Sequence, residues 1–322
     1  MGERIGWLDT ARAIGIVAVV AGHVTTDRAI WAAMFHFHMP LFFMLSGMTF
    51  APAPPHIVAA RRTRTLLVPY AGWLVLVALG DLAIAAATGH PTYLPWDRPL
   101  AAVARALLGG TYLVGPFGIF WFVTCLFLVQ IAAGAILRRP ERQVVAVTGM
   151  SFVAVHLMRH WPSPLGVIGL PLGASFFLAG ALYRRHVARF GRPAMLVALA
   201  AAALALVSAP LDVKIADYGT PVLSIVAALG LCHLVFVVAQ HLPASRIVAA
   251  IGQASLVIMY LHLTILYALR DRFAAGPIAL LGIVLPIAIW ALLRRFGVTR
   301  TLLLGERTRT LDPGARSAQE AV

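Results

Sequence analysis

Apolar runs of about 17–25 residues recur along this chain, separated by short connections rich in arginine, and that alternation leaves few folds open. A run of that length, wound as a helix, matches the hydrocarbon thickness of a bilayer, and in lipid a helix satisfies its own backbone N–H and C=O groups. Over 322 residues the chain is 61% hydrophobic and only 12% charged, with a mean hydropathy of +0.87. Soluble domains carry about 25% charged residues. The expected class is therefore an all-α, polytopic membrane protein.

About ten spans are expected, near 8–26, 32–50, 66–88, 116–137, 143–158, 164–182, 194–211, 219–240, 247–269 and 274–293. Arginines gather at Arg4, at Arg61, Arg62 and Arg64, at Arg138, Arg139 and Arg142, at Arg184, Arg185, Arg189 and Arg192, and after Arg294. These are alternate loops, which by the positive-inside rule puts both termini in the cytoplasm. The opposite loops hold Asp27, Asp81, Asp97, Asp212, Asp217 and Asp271. The longest outer connection, 89–115, is expected to carry a short interfacial helix around 98–108. A single membrane domain is expected over 1–304, followed by a polar, disordered tail over 305–322. The first apolar run lacks a small-residue cleavage site and is expected to be a retained helix instead of a signal peptide.

The net charge of +14 does not indicate nucleic acid, because the arginines lie in loops between spans and report topology and contact with anionic lipid. Cys125 and Cys232 both fall inside apolar runs, so neither a disulfide framework nor a metal site is expected.

The first span, WLDTARAIGIVAVVAGHVTT, contains Asp9, Arg12 and His23. Ionisable groups at membrane depth are costly, face the protein interior and point to a functional site. Arg12 and His23 are about three helical turns apart, so they share a face and are separated by roughly 16 Å along the axis. Asp9 and Arg12, at i and i+3, can pair and hold Arg12 at the membrane edge. His36 and His38 open the second span, about 200° apart on a helix, so only one of them easily faces the same side as His23. His262 in the ninth span and Trp121 at the head of the fourth fall at a similar depth. A lone intramembrane histidine is often a packing residue bonded to a neighbouring helix, the preferred reading for His156, His233 and His241. Trp121 reads equally as an interfacial anchor or a site residue. Gly15 and Gly22 read as sites of close helix packing. Arg61 and Arg64, ahead of LLVPY, need no explanation beyond topology, but guanidinium pairs also bind phosphate bidentately.

Together these segments resemble the acyltransferase-3 family of integral membrane acyltransferases. The resemblance rests on Arg12 and His23 in LDTARAIGIVAVVAGH, on FHMPLFFMLSG at 37–47, and on Arg61 and Arg64 in RRTRTLLVPY, with weaker echoes in WFVTCLF at 121–127 and MYLHLTIL at 259–266. The strong motifs cover roughly the first 75 residues. The short chain and the FHMPLFF segment look most like the fucose O-acetylase group. The resemblance implies transfer of an acyl group, usually acetyl, from cytoplasmic acyl-CoA to a hydroxyl of a cell-surface or lipid-linked glycan, in the cell (inner or plasma) membrane. On this reading Arg12, Arg61 and Arg64 bind the donor. His23 serves as general base, less readily as acyl carrier, and His38 orients the acceptor or stabilises the oxyanion. Asp9, Trp121 and His262 are further candidates. The competing class is a transporter or flippase, since buried His and Arg also serve proton and substrate pathways.

Overall fold

The structure, a computed structural model, describes residues 6–157, 162–187, 190–243 and 245–306. The polar tail expected from residue 305 therefore lies, beyond Glu306, outside the described residues, as do Arg4 and Arg189. The described residues are helical with no β-strand, apart from an isolated antiparallel bridge between Asp212 and Asp217.

The first half of the bundle comprises α1 (Gly6–Val24), α2 (Arg28–Phe35), α3 (His38–Met48), α4 (Pro55–Arg62), a π-helical turn (Thr63–Leu67), α5 (Val68–Thr88), α6 (Pro99–Leu108) and α7 (Trp121–Ile136). The second half comprises α8 (Glu141–Ala154), α9 (Leu170–His186), α10 (Arg192–Ala203), α11 (Leu223–His241), α12 (Arg246–Gln253), α13 (Ser255–Leu269), α14 (Ala275–Leu293) and α15 (Gly297–Leu304). Local chemistry sets several boundaries. Asp27 caps α2 by accepting the N–H groups of Ala29 (2.8 Å) and Ile30 (3.1 Å). Pro55 opens α4, where a missing N–H costs nothing, and Gly89, in the left-handed region at φ 74°, closes α5.

Seven segments are long and apolar enough to cross a membrane: Gly6–Val24, Arg28–Met48, Pro55–Thr88, Gly115–Ile136, Pro164–His186, Leu223–His241 and Ala275–Leu293. An eighth is broken, α12 and α13 meeting at an angle of 73°. The remaining two expected spans are shorter. At 143–158 the chain forms α8 and a 3-10 turn, Val155–Leu157, and at 194–211 it forms α10 and the 3-10 turn Leu204–Leu206, ahead of Pro210. The segment expected as an interfacial helix forms α6.

Small residues set the closest helix contacts. A Cβ at Gly47 would collide with the Phe177 carbonyl, and one at Gly180 with the Met44 backbone, so α3 and α9 touch backbone to backbone. This is how apolar helices gain dispersion contacts where lipid supplies no hydrophobic drive. Gly252 brings α12 against the backbone of Asp9, while Gly15 and Gly22 receive Leu41 with Phe42 and Met34 with Phe35. The result is an enclosed first helix. It packs against α2, α3, α11, α12, α13 and α14, and Ala11, Ile16, Val19 and Val20 are fully buried.

Candidate active site

The site begins where the second span breaks. Helix α2 stops at Phe35 and α3 starts at His38, with Phe37 at φ −133° between them. Carbonyls at the end of α2 accept imidazoles as well as backbone N–H groups: His36 Nδ1 lies 2.7 Å from the Ala32 oxygen, and His38 Nδ1 lies 2.7 Å from the Met34 oxygen. A carbonyl only accepts, so each Nδ1 carries the hydrogen, and in the neutral ring Nε2 is the acceptor. The break sends the two rings to different places. His36 Nε2 approaches Ser208 Oγ at 3.3 Å, whereas His38 faces His23, ring centroids 6.3 Å apart.

Around His23 the structure gathers three imidazoles. His262, on α13, lies 5.3 Å from His23 between ring centroids and is itself fixed by Nδ1–H donation to Ile258 O at 3.0 Å. His23, His38 and Trp121 line a cavity of about 340 Å³ whose walls also include Phe35, Met39, Gly115, Gly118, Asp212, Lys214, Leu263 and Tyr267. His262 stands behind His23 and does not line it. Trp121, at the start of α7, presents its ring beside Phe122, centroids 6.1 Å apart. Among the described residues no three His, Cys, Asp or Glu side chains are grouped as a metal-ligand set.

Two walls of that cavity, Asp212 and Lys214, belong to the connection between α10 and α11, and sequence reading did not single them out as site residues. The signal was there: Lys214 is the sole lysine of a chain with 26 Lys plus Arg. Asp212 caps the 3-10 turn Val213–Ile215 by accepting the Lys214 N–H at 2.9 Å, while Lys214 Nζ donates to Leu113 O at 3.0 Å. Burial pushes the Asp212 carboxyl above its ordinary value and pulls the Lys214 ammonium below its own, the latter partly offset by Asp212.

The other end of α1 carries a second polar centre. Arg12 Nη1 donates to Asp9 Oδ1 at 2.9 Å, and Gln253 Nε2, at the α12–α13 elbow, donates to Asp9 Oδ2 at 3.3 Å. Between Arg12 and His23 the shared face is closed, since Ile16 and Val19 are 0% exposed. Arg61 and Arg64 are exposed on α4 and the π-helical turn, and among the described residues no hydrogen bond or ion pair joins them to Arg12. Their neighbour Arg62 stacks over Phe50 at 5.9 Å. His156, His233 and His241 sit elsewhere, with Nδ1 against Phe152 O, Tyr183 Oη and Val237 O.

Fold and site together define a multi-pass α-helical membrane protein with a histidine-lined cavity at the end of α1. The acyltransferase-3 family model, an acyltransferase domain, matches residues 5–295. The chain belongs to that family and is a membrane acyltransferase. No curated protein and no solved structure matches the chain.

Proposed function

We propose that this protein is an O-acyltransferase of the cell membrane that moves an acetyl or related acyl group from acyl-CoA to a hydroxyl of a cell-surface or lipid-linked glycan. The acceptor class rests on the likeness to the fucose O-acetylase group. One observation supports the chemistry above the rest: His23 and His38 share a single cavity, and His38 presents an acceptor nitrogen there. A neighbouring sugar hydroxyl can donate to His38 Nε2 and orient the acceptor, while His23 removes the proton of the reacting hydroxyl. The alkoxide oxygen adds to the thioester carbonyl, and the tetrahedral intermediate collapses with cleavage of the C–S bond. The imidazolium of His23 returns the proton to the departing thiolate, giving ester and free thiol.

Neutral His38 has no N–H to offer at Nε2, which fits acceptor orientation better than oxyanion stabilisation. That second role suits Lys214 Nζ, the cation on the cavity wall, which Trp121 also lines. Arg12, Arg61 and Arg64 hold the donor phosphates on the cytoplasmic side, Asp9 keeping Arg12 in place. Because Ile16 and Val19 fill the face of α1, the donor arm takes another route. The buried hydroxyls of Tyr70 and Tyr260, without a hydrogen-bond partner among the described residues, are the polar groups assigned to it. The reading keeps ten crossings in one domain over 1–304, with both termini cytoplasmic and α8 and α10 as short crossings.

The test is His23→Ala in purified, lipid-reconstituted protein, following thiol release from acetyl-CoA with a glycan acceptor. A fall in kcat of about 10²–10⁴-fold is expected for loss of a general base. Near-wild-type turnover in H23A would remove His23 from the chemistry.

A further inference from the structure

His262 presents an anomaly that packing does not explain. Its side chain is 1% exposed, and Nδ1–H is committed to Ile258 O, so Nε2 is an acceptor. That Nε2 is buried without a hydrogen-bond partner among the described residues. A polar atom stranded in this way costs about 1–3 kcal/mol, which a leucine of similar volume would avoid. Gly282 on α14 lets that helix pack against the Cα and Cβ of His262. The ring that lies against this imidazole is that of His23. Each imidazole nitrogen lies roughly 1.1 Å from its ring centroid, so one N–H···N bond between two rings places centroids about 5 Å apart. The observed 5.3 Å fits, with the rings inclined at 38°.

We infer that His262 is the positioning residue for His23: its buried Nε2 accepts the rear N–H of the His23 ring and so turns the other His23 nitrogen, as a lone pair, into the cavity. This rests on the proposed reading of His23 as base. A modest rotation of the His23 ring closes the bond, and nothing needs to move on α13, where the Ile258 carbonyl already holds His262. When His23 takes the acceptor proton, both its nitrogens carry hydrogen. The rear one stays on His262 Nε2 and the front one goes to the leaving thiolate, so His262 gains and loses no proton. The logic is that of a base whose far nitrogen is oriented by a third group, with a neutral imidazole in place of a carboxylate.

The experiment compares His262→Ala, His262→Gln and His23→Ala with the double variant H23A/H262A, in reconstituted protein, by acetyl-CoA-dependent thiol release and thermal unfolding. Expected for H262A is a fall in kcat of about 10- to 100-fold, the size of one hydrogen bond to a charged group, with the donor KM within about threefold. H262Q, whose Oε1 reaches the place of Nε2 as an acceptor, recovers most of that loss. In the H23A background the second substitution changes nothing further. H262A turning over normally while H23A is inactive would overturn this inference and leave the base intact. Active H23A would overturn the underlying reading instead. Should His262→Ala abolish folding, the activity ratio of folded His262→Gln to folded His262→Asn decides. Equal activity for an acceptor at the Nδ1 place and one at the Nε2 place overturns the inference.

Discussion

Replacing Lys214 with Met removes one ammonium from the cavity wall and leaves a side chain of similar length. A cavity of about 340 Å³, treated as a sphere, has a radius of roughly 4 Å, so a wall cation lies about 5 Å from charge developing at its centre. At an effective dielectric constant of about 20 that pair interacts by roughly 3 kcal/mol. Lys214 is half-buried in a loop, and solvent and salt reduce the figure to roughly 2–3 kcal/mol. The Leu113 carbonyl that receives Nζ is neutral, but the Asp212 carboxylate on the same wall offsets part of the ammonium's charge, which leaves about 2 kcal/mol. The expected fall in kcat for K214M is therefore roughly 30-fold. Lys214→Arg, which keeps the charge, should stay within about tenfold of wild type. The assay is thiol release in reconstituted protein at saturating donor, with thermal unfolding as the folding control. A folded K214M variant within threefold of wild-type kcat would refute the electrostatic role.

Gly180→Ala drives a Cβ into the Met44 backbone, and overpacking of this kind costs about 1–3 kcal/mol, read as a lowered unfolding midpoint in detergent; an unchanged or raised midpoint would contradict the backbone-to-backbone contact. Asp212 binds its proton more tightly in the fold than in the unfolded chain, so its contribution to stability is present below about 3.8 and is lost as pH rises through its folded value. Asp212→Asn should therefore lose less stability than wild type across that rise, and thermal unfolding of the two proteins from pH 4 to 7 would show the slopes diverging in that sense.

How far the sequence carries depends on what each feature needs. Apolar run length and the scarcity of charge are enough to announce helices and a membrane, because lipid leaves the backbone almost no alternative. They do not reveal where a run stops being one straight helix. The elbow at Gln253–Ala254 and the halt of α10 before Pro210 arise from packing and local turns within segments that remain predominantly apolar. At the site, spacing along α1 relates Arg12 to His23, yet Ile16 and Val19 show that a shared face is not an open path. Spacing also separates His36 from His38, but the break at Phe37 decides which of them meets His23. Lys214 is nearly two hundred residues from His23 in sequence, and only tertiary folding sets them on one cavity. A lysine in a connection between helices reads as ordinary surface charge until its rarity in an arginine-rich chain is noticed.

The bent span α12–α13 grips the first helix at both ends, Gln253 on the Asp9 carboxylate and His262 against His23. It works as a fixed caliper. One added or deleted residue between the elbow and His262 would swing that imidazole by about 100° while leaving the lower jaw in place. Length changes are therefore far less tolerable in those eight positions, Ala254 to Leu261, than substitutions among apolar residues there.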